Sequence, residues 1–191
     1  PTTWDLPAQR GRHYGGLDSL AIGDVVPGGP LEVAVAETAP DESGIGIQSG
    51  EANVVNPDAI VWATLRPSDD IPPTGQCATE KDPDKLAIGD FDPSRPGQEV
   101  FARSSCANHP WVMDATGAIF AKWNVADTAP AGWFLGGPPV EGSEGGIDVI
   151  SPILWGAGEQ QHLLLKERHL DRKAAIVSPL DGTFASVLEG T

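Results

Sequence analysis

Short apolar runs alternate with polar residues along the chain, and turns rich in Gly and Pro separate them. Alternation with a period of two is the pattern of a β-strand that buries one face. Paired strands around a short turn recur three times, at 52–65, 110–123 and 174–188. Their turns carry Asn, Asp, Pro and Gly, which favour hairpin connections. The pattern therefore predicts an all-β fold assembled from antiparallel hairpins.

The hairpins belong to a longer repeat. The segment LAIGD at 20–24 recurs at 86–90, and each copy precedes a turn rich in Pro and Gly and then an acidic, apolar strand. Equivalent turn positions of the three hairpins, Asn56, Asp114 and Ser178, lie about sixty residues apart. A period of this length fits a four-stranded sheet with one enlarged loop. Several such sheets arranged radially form a β-propeller.

We predict three propeller blades, at roughly 14–66, 80–125 and 145–191, which make residues 1–191 one part of a single propeller. A β-sandwich of hairpins is the alternative, and it accounts for the frequent turns but not for the long repeat. Closed propellers usually have about 4–8 blades. Because three blades would leave two sheet edges open, we expect a seven- or eight-bladed propeller that another chain, or another fragment of a longer precursor, completes.

The composition narrows the range of partners. The 191 residues include 12 Lys and Arg against 27 Asp and Glu, which gives a net charge of −15. Such a surface repels phosphate backbones, so no nucleic acid partner is expected. No apolar stretch approaches the roughly 20 residues that cross a bilayer, so no membrane partner is expected either. The 23 Gly and 18 Pro also disfavour long helices.

Two cysteines, Cys77 and Cys106, are not spaced as a metal-binding or redox CxxC pair. If LAIGD forms the innermost strand of its blade, both cysteines flank the second blade on one face, which favours a disulfide between them. The alternative is a pair of unpaired core cysteines. A disulfide would imply an oxidising compartment, and we expect a secreted, extracellular protein.

The same face of the predicted propeller gathers scarce basic residues in two clusters. The clusters are Arg10, Arg12, His13 and Tyr14 before the first blade, and Lys166, Arg168 and His169 in the third. In an acidic chain, this concentration indicates a local anion site. The alternatives are structural: His13 or Tyr14 would close a blade through a hydrogen bond, and Glu167 would form a surface ion pair with a basic neighbour.

One segment resembles a known family. The run GDFDPSRPGQEV at 89–100 is similar to a segment of the rhamnogalacturonan lyases of polysaccharide lyase family eleven and their propeller relatives. Residues 13–24 and 163–182 resemble other segments of that group more weakly, so the resemblance touches all three repeats. It implies a secreted, calcium-containing β-propeller that cleaves rhamnose–uronate linkages in plant polysaccharides by β-elimination.

That reaction restricts the candidate residues. Elimination from a uronate requires neutralisation of its carboxylate, a base, and an acid near the leaving oxygen. We expect the basic residues of the two clusters to bind an anionic polysaccharide of rhamnogalacturonan or arabinogalactan type, and His13, Tyr14 or His169 to transfer protons. A non-catalytic carbohydrate-binding or interaction propeller is the alternative function.

The resemblance also implies calcium. Related propeller repeats hold the ion with an Asp-x-Asp-x-Asp-Gly turn, because Ca²⁺ takes about six to eight oxygen ligands. The first turn of this chain has only Asp24 and is not expected to bind an ion. The second has Asp90, Asp92 and, further on, Glu99, which are the candidate ligands. Alternatively, Asp92 only caps a turn and Arg95 neutralises it.

The remaining histidines and the tryptophans in strands have a simpler interpretation. His109 precedes a proline in a loop and His162 lies on an apolar strand, so both are expected to be structural. Trp62, Trp123 and Trp155 fall at strand positions and are expected in the core.

Overall fold

The computed structural model describes part of the chain. The described residues are 13–14, 20–29, 31–38, 44–49, 60–64, 85–103, 110–123, 125–128, 147–167 and 173–189. They form antiparallel β-sheets and a single helical turn, α1, at Val125–Thr128. Within these ranges, no helix has the length and apolar character needed to cross a membrane. The prediction of an all-β fold is therefore confirmed for the described part.

The strands fall into three sheets in chain order. The first sheet contains β1 (His13–Tyr14), β2 (Leu20–Gly23), β3 (Glu32–Thr38), β4 (Gly44–Ser49) and β5 (Ile60–Thr64). The second contains β6 (Lys85–Gly89), β7 (Glu99–Arg103), β8 (Trp111–Met113) and β9 (Ile119–Lys122). The third contains β10 (Ile147–Leu154), β11 (Gln161–Glu167), β12 (Lys173–Val177) and β13 (Phe184–Glu189).

Each sheet is an antiparallel meander in which consecutive strands pair. The first sheet has one addition, because β3 pairs along the same edge with both β2 and β1. Val35 lies opposite Leu20, and Glu37 lies opposite Tyr14, so β1 continues the edge beyond the beginning of β2. Within the described residues no sheet closes on itself.

The second sheet packs on both of its faces. On one face its apolar side chains form a cluster with Val25 and Ala34 of the first sheet. On the other face they form a cluster with Leu163 and Leu165 of the third sheet. Every residue of β7 is buried as a result. The order of the three sheets in space therefore follows their order in the chain.

The same pair of hydrogen bonds joins each sheet to the next. The N–H of Gln98 donates to the backbone oxygen of Asp24 (2.7 Å), and the Asp24 N–H donates to the Gln98 side-chain oxygen (2.8 Å). Gln161 makes the corresponding bonds with Asp90, at 2.7 and 2.8 Å. We call this arrangement the glutamine joint. Because the joint recurs, the third sheet is joined to the second in the same way as the second is joined to the first.

Glycine before each aspartate makes the glutamine joint possible. A Cβ atom at Gly89 would lie 2.6 Å from the Gln161 side-chain oxygen and 2.9 Å from the Cβ of Pro152. A Cβ atom at Gly23 would likewise collide with Ile88 of the following sheet. The repeated Gly-Asp pair of LAIGD thus reflects the close approach of one sheet to the next.

The tryptophans divide between core and surface. Trp123 is buried, as predicted, and its indole N–H donates to the Pro179 carbonyl oxygen (2.8 Å) while its ring covers Gly182. The prediction for Trp155 is wrong, because this side chain is 43% exposed. Trp155 lies in the turn after β10, on the side of the third sheet that no further described sheet covers. The side chain of Trp62 lies outside the described residues.

We expect Gly89→Ala to destabilise the protein by about 1–3 kcal/mol, because the added methyl group would separate the second and third sheets. Gly158→Ala is the matched control. Gly158 is exposed, and the nearest atom that its Cβ would meet is 3.9 Å away. Urea denaturation of both variants measures the difference. Equal midpoints would show that the joint does not need glycine.

Candidate functional site

The predicted site residues divide into two sets. His13, Tyr14, Lys166, Asp90, Asp92 and Glu99 belong to the part of the chain that the structure describes. The others lie outside the described residues: Arg10, Arg12, Arg168, His169, Cys77, Cys106 and His109. The described part of the candidate site therefore consists of the first set and the residues that surround it.

His13 and Tyr14 lie at one end of the first sheet. They form β1, where Thr38 and Glu37 at the end of β3 are their pairing partners. Lys166 occupies the corresponding end of the third sheet, near the end of its second strand, where it pairs with Ala174. The register thus places these three residues at the ends of their sheets opposite the glutamine joints.

A further cation lies at that end of the second sheet. Arg103 is the last residue of β7 and is buried, and it pairs in register with Lys85 at the beginning of β6. Sequence reasoning missed both residues, although a basic residue at each strand terminus was a usable signal. The end of the sheets opposite the joints, which we call the basic end, thus carries Arg103 and Lys85 between His13 and Lys166 in sheet order.

The predicted calcium residues lie at the other end, in the turn between β6 and β7. Glu99 is buried, and one oxygen of its carboxylate accepts the backbone N–H groups of Phe91 (2.7 Å) and Asp92 (3.0 Å). Burial raises the pKa of Glu99, although the hydrogen bonds from Asp92 and Phe91 act in the opposite direction. The carboxylate therefore serves as an internal clamp on the turn.

The first sheet has the same clamp. Glu32 is buried, and its carboxylate accepts the N–H groups of Val25 (2.8 Å) and Val26 (3.1 Å). In the third sheet His162 takes the equivalent position directly after Gln161, and it is partly buried. Its Nδ1 atom is buried and has no hydrogen-bond partner within the described structure. The carboxylate clamp is thus present in two of the three sheets.

Asp92 is neutralised within the turn. Its carboxylate accepts the backbone N–H (3.1 Å) and the hydroxyl (2.6 Å) of Ser94, and it forms an ion pair with Arg95 (3.1 Å). The Ser94 hydroxyl lowers the pKa of Asp92 most, and it outweighs the opposing effect of burial. The Arg95 guanidinium also lies 3.7 Å from Asp114 and 3.8 Å from the centre of the Phe120 ring. A fixed side-chain cation thus occupies this acidic turn.

The three candidate calcium ligands differ in the partners of their oxygens. One Glu99 oxygen and both Asp92 oxygens accept hydrogen bonds from donors of the turn, whereas the buried Asp90 Oδ1 has no partner among the described residues. Burial raises the pKa of Asp90, as do the nearby charges of Glu159 and Asp92. Among the described residues, no three His, Cys, Asp or Glu side chains are grouped so that they would hold a metal ion. Asp92 is thus capped and neutralised within the turn, and calcium binding by Asp90, Asp92 and Glu99 stays a prediction.

Comparison with known proteins adds no assignment. A scan against protein-family models finds no match, and a search of the curated proteins finds none either. The resemblance to polysaccharide lyases therefore rests on the residues quoted for it.

We expect Glu99→Ala to cost about 1–3 kcal/mol of stability, because it leaves two buried N–H groups without an acceptor. Glu99→Gln keeps an acceptor oxygen at nearly the same place and should cost less. The free energies of unfolding in urea compare the two variants. If both variants lose the same free energy of unfolding, the hydrogen bonds of the clamp are not the source of the lost stability.

The pKa of Glu99 predicts the pH dependence of this effect. A carboxyl whose pKa is raised by folding stabilises the folded state while it is protonated, and that contribution is lost as pH rises through the raised pKa. The wild type should therefore lose stability relative to Glu99→Gln as the pH rises from about 4 towards 7. The unfolding midpoints of both proteins are measured across this pH range. A difference between the two midpoints that does not change with pH would contradict a raised pKa of Glu99.

Proposed function

We propose that the three sheets are consecutive blades of a β-propeller that is larger than the described structure. The observation that supports this is the recurrence of the glutamine joint. It brings β2 against β6 and β6 against β10, since Gly23 lies against Ile88 and Gly89 lies against Pro152. Radial packing of blades around their innermost strands requires this adjacency. A two-layer sandwich gives no reason for the same joint to occur twice.

The proposed activity is that of a secreted polysaccharide lyase acting on a rhamnose–uronate linkage in a plant polysaccharide of rhamnogalacturonan or arabinogalactan type. The observation that carries it is the register of the strands, which puts His13, Tyr14, Arg103 and Lys166 at the same end of the three sheets. Proton-transfer groups and cations are the two kinds of side chain that the reaction needs. In propellers, the loops at one end of the blades share a common surface.

The roles follow from the chemistry of β-elimination. Lys166 and the arginines of the two clusters bind the uronate carboxylate, which makes the neighbouring carbon-bound hydrogen more acidic. His13, Tyr14 or His169 removes that proton, and the released electron pair forms a carbon–carbon double bond. The bond to the glycosidic oxygen breaks, and a second of these groups gives the oxygen a proton. Protons and electrons balance without an added oxidant or reductant.

The environment of such an enzyme is extracellular. A disulfide between Cys77 and Cys106 would suit that compartment, where oxidising conditions preserve it. The acidic surface, with its net charge of −15, would repel bulk polyanions. Substrate attraction is therefore assigned to Lys166 and the arginines of the two clusters.

A specific observation favours a second candidate, a carbohydrate-binding or interaction propeller without catalysis. The segment that carries the family resemblance, 89–100, contributes Gly89 and Asp90 to one joint, Gln98 to the other, and Glu99 to the turn clamp. All four residues hold the fold together, so this segment would be retained in a protein that had lost its catalytic activity.

Incubation with rhamnogalacturonan and with gum arabic separates the two candidates. A lyase produces an unsaturated uronate, whose ultraviolet absorbance grows with time. The reaction is followed over a wide pH range, with added Ca²⁺ and with a chelator. If the absorbance increases with neither substrate under any condition, the lyase is excluded and the carbohydrate-binding or interaction protein remains.

Single substitutions then identify the base. His13→Ala or His169→Ala should lower the rate by about 100-fold or more where the residue transfers the proton. His109→Ala is the matched control, because this histidine is expected to be structural. Lys166→Ala should raise KM more than it lowers kcat. Unchanged kinetics in His13→Ala, His169→Ala and Lys166→Ala would exclude these three residues and leave Tyr14 as the candidate base.

A further inference from the structure

Strand β7 presents one face to the first sheet and the other face to the third. Val100 and Ala102 belong to the core shared with the first sheet, whereas Phe101 belongs to the core shared with the third. Successive residues of a strand alternate between its two faces. Arg103, which ends β7, therefore lies on the same face as Phe101, toward the third sheet.

This face of the second sheet carries two cations, and one of them is buried. Arg103 is only 3% exposed. Lys85 lies directly opposite it in β6, and residues opposite each other in an antiparallel pair share a face. Like charges at such a pair are destabilising, and a buried arginine is almost always paired. Both conditions favour an acidic partner for Arg103 on the facing sheet.

The third sheet has one acid at the matching place. Leu163 and Leu165 of β11 pack in the core shared with the second sheet. By alternation Glu167, the last residue of β11, lies on that same face, and Lys166 lies on the opposite face. Asp148 is in register with Lys166, so it also lies on the opposite face. Of the two acids in β10 and β11, Glu167 is therefore the one on the face toward the second sheet.

Arg103 and Glu167 also lie at the same end of their strands. Gln161 bonds to Asp90, which follows the end of β6, so β11 begins level with β7. Arg103 is the fifth residue after Gln98, and Glu167 is the sixth residue after Gln161. The two positions thus differ by about one residue, or roughly 3.3 Å, along the strand direction. An arginine side chain is long enough to span that offset.

We propose that Glu167 forms an ion pair with Arg103 between the third and second sheets, and that this pair positions the neighbouring Lys166 for binding of an anionic sugar. Holding the last residue of β11 on one face fixes the direction in which the preceding residue projects from the other. Arg103 is thereby a positioning residue, which agrees with its burial. The role of Lys166 rests on the function proposed above, whereas the ion pair does not.

A double-mutant cycle in urea tests the ion pair. Glu167→Gln should lower the folding equilibrium constant by about 100-fold or more, because it leaves the buried charge of Arg103 without its counter-charge. Once Arg103→Met has removed that charge, the same substitution should have little further effect. In Arg103→Lys, which keeps the charge, Glu167→Gln should still be costly.

Asp148→Asn is the matched control for this cycle. Asp148 is an acid of the neighbouring strand, but it lies on the other face, so its substitution should have the same effect with and without Arg103→Met. Equal effects of Glu167→Gln in both backgrounds, or coupling of Arg103 to Asp148 instead, would overturn the ion pair.

Substrate affinity tests the positioning of Lys166. Arg103→Met should raise KM for rhamnogalacturonan about as much as Lys166→Ala does, and it should raise KM no further when both are combined. If the protein binds the polysaccharide without cleaving it, the dissociation constant replaces KM. A role confined to stability would reduce the amount of folded protein and leave both constants unchanged, so an unchanged constant in Arg103→Met would overturn the positioning role. The urea cycle requires no substrate, so failure of the ion pair and failure of the proposed function are observed separately.

Discussion

One glutamine residue ties each sheet to the next, and the placement of the remaining elements depends on it. Its backbone and its side chain together satisfy the N–H and the carbonyl oxygen of a single aspartate. That aspartate follows the end of a first strand, where the ladder no longer offers partners for its backbone groups. Two bonds to one residue define an orientation as well as a distance, so Gln98 and Gln161 fix how neighbouring sheets lie.

The apolar packing follows from that constraint. Once the sheets are held at the glutamine joint, the side chains between them have to fill a gap of set width. Phe91 and Phe101 fill it between the second and third sheets, where both are fully buried. At the other edge of the same interface, Trp123 both packs on Gly182 and bonds to Pro179. Polar bonds at one edge and an aromatic contact at the other thus enclose the core between the second and third sheets.

The two ends of the sheets have different characters. At the joint end, the buried carboxylates of Glu32 and Glu99 accept backbone N–H groups of their turns, and Arg95 forms ion pairs with Asp92 and Asp114. At the basic end, Arg103 is the last residue of β7 and Lys166 lies next to the end of β11. Loops on a rigid scaffold are where binding and chemistry usually lie. The conspicuous GDFDPSRPGQEV segment belongs to the first end, so it identifies an architecture more directly than an activity.

The sequence by itself determined the strands, their antiparallel hairpins and the existence of a repeat, because alternation and turn residues are local properties. It also suggested that Arg95 neutralises Asp92, which are three residues apart. Only the tertiary structure showed that Glu99 accepts two backbone N–H groups of its turn, and that Trp155 is exposed. It alone placed Arg103 at the same end of the sheets as His13 and Lys166. These properties depend on which sheet lies against which, and that is decided by contacts such as Gln98 with Asp24, between residues far apart in the chain.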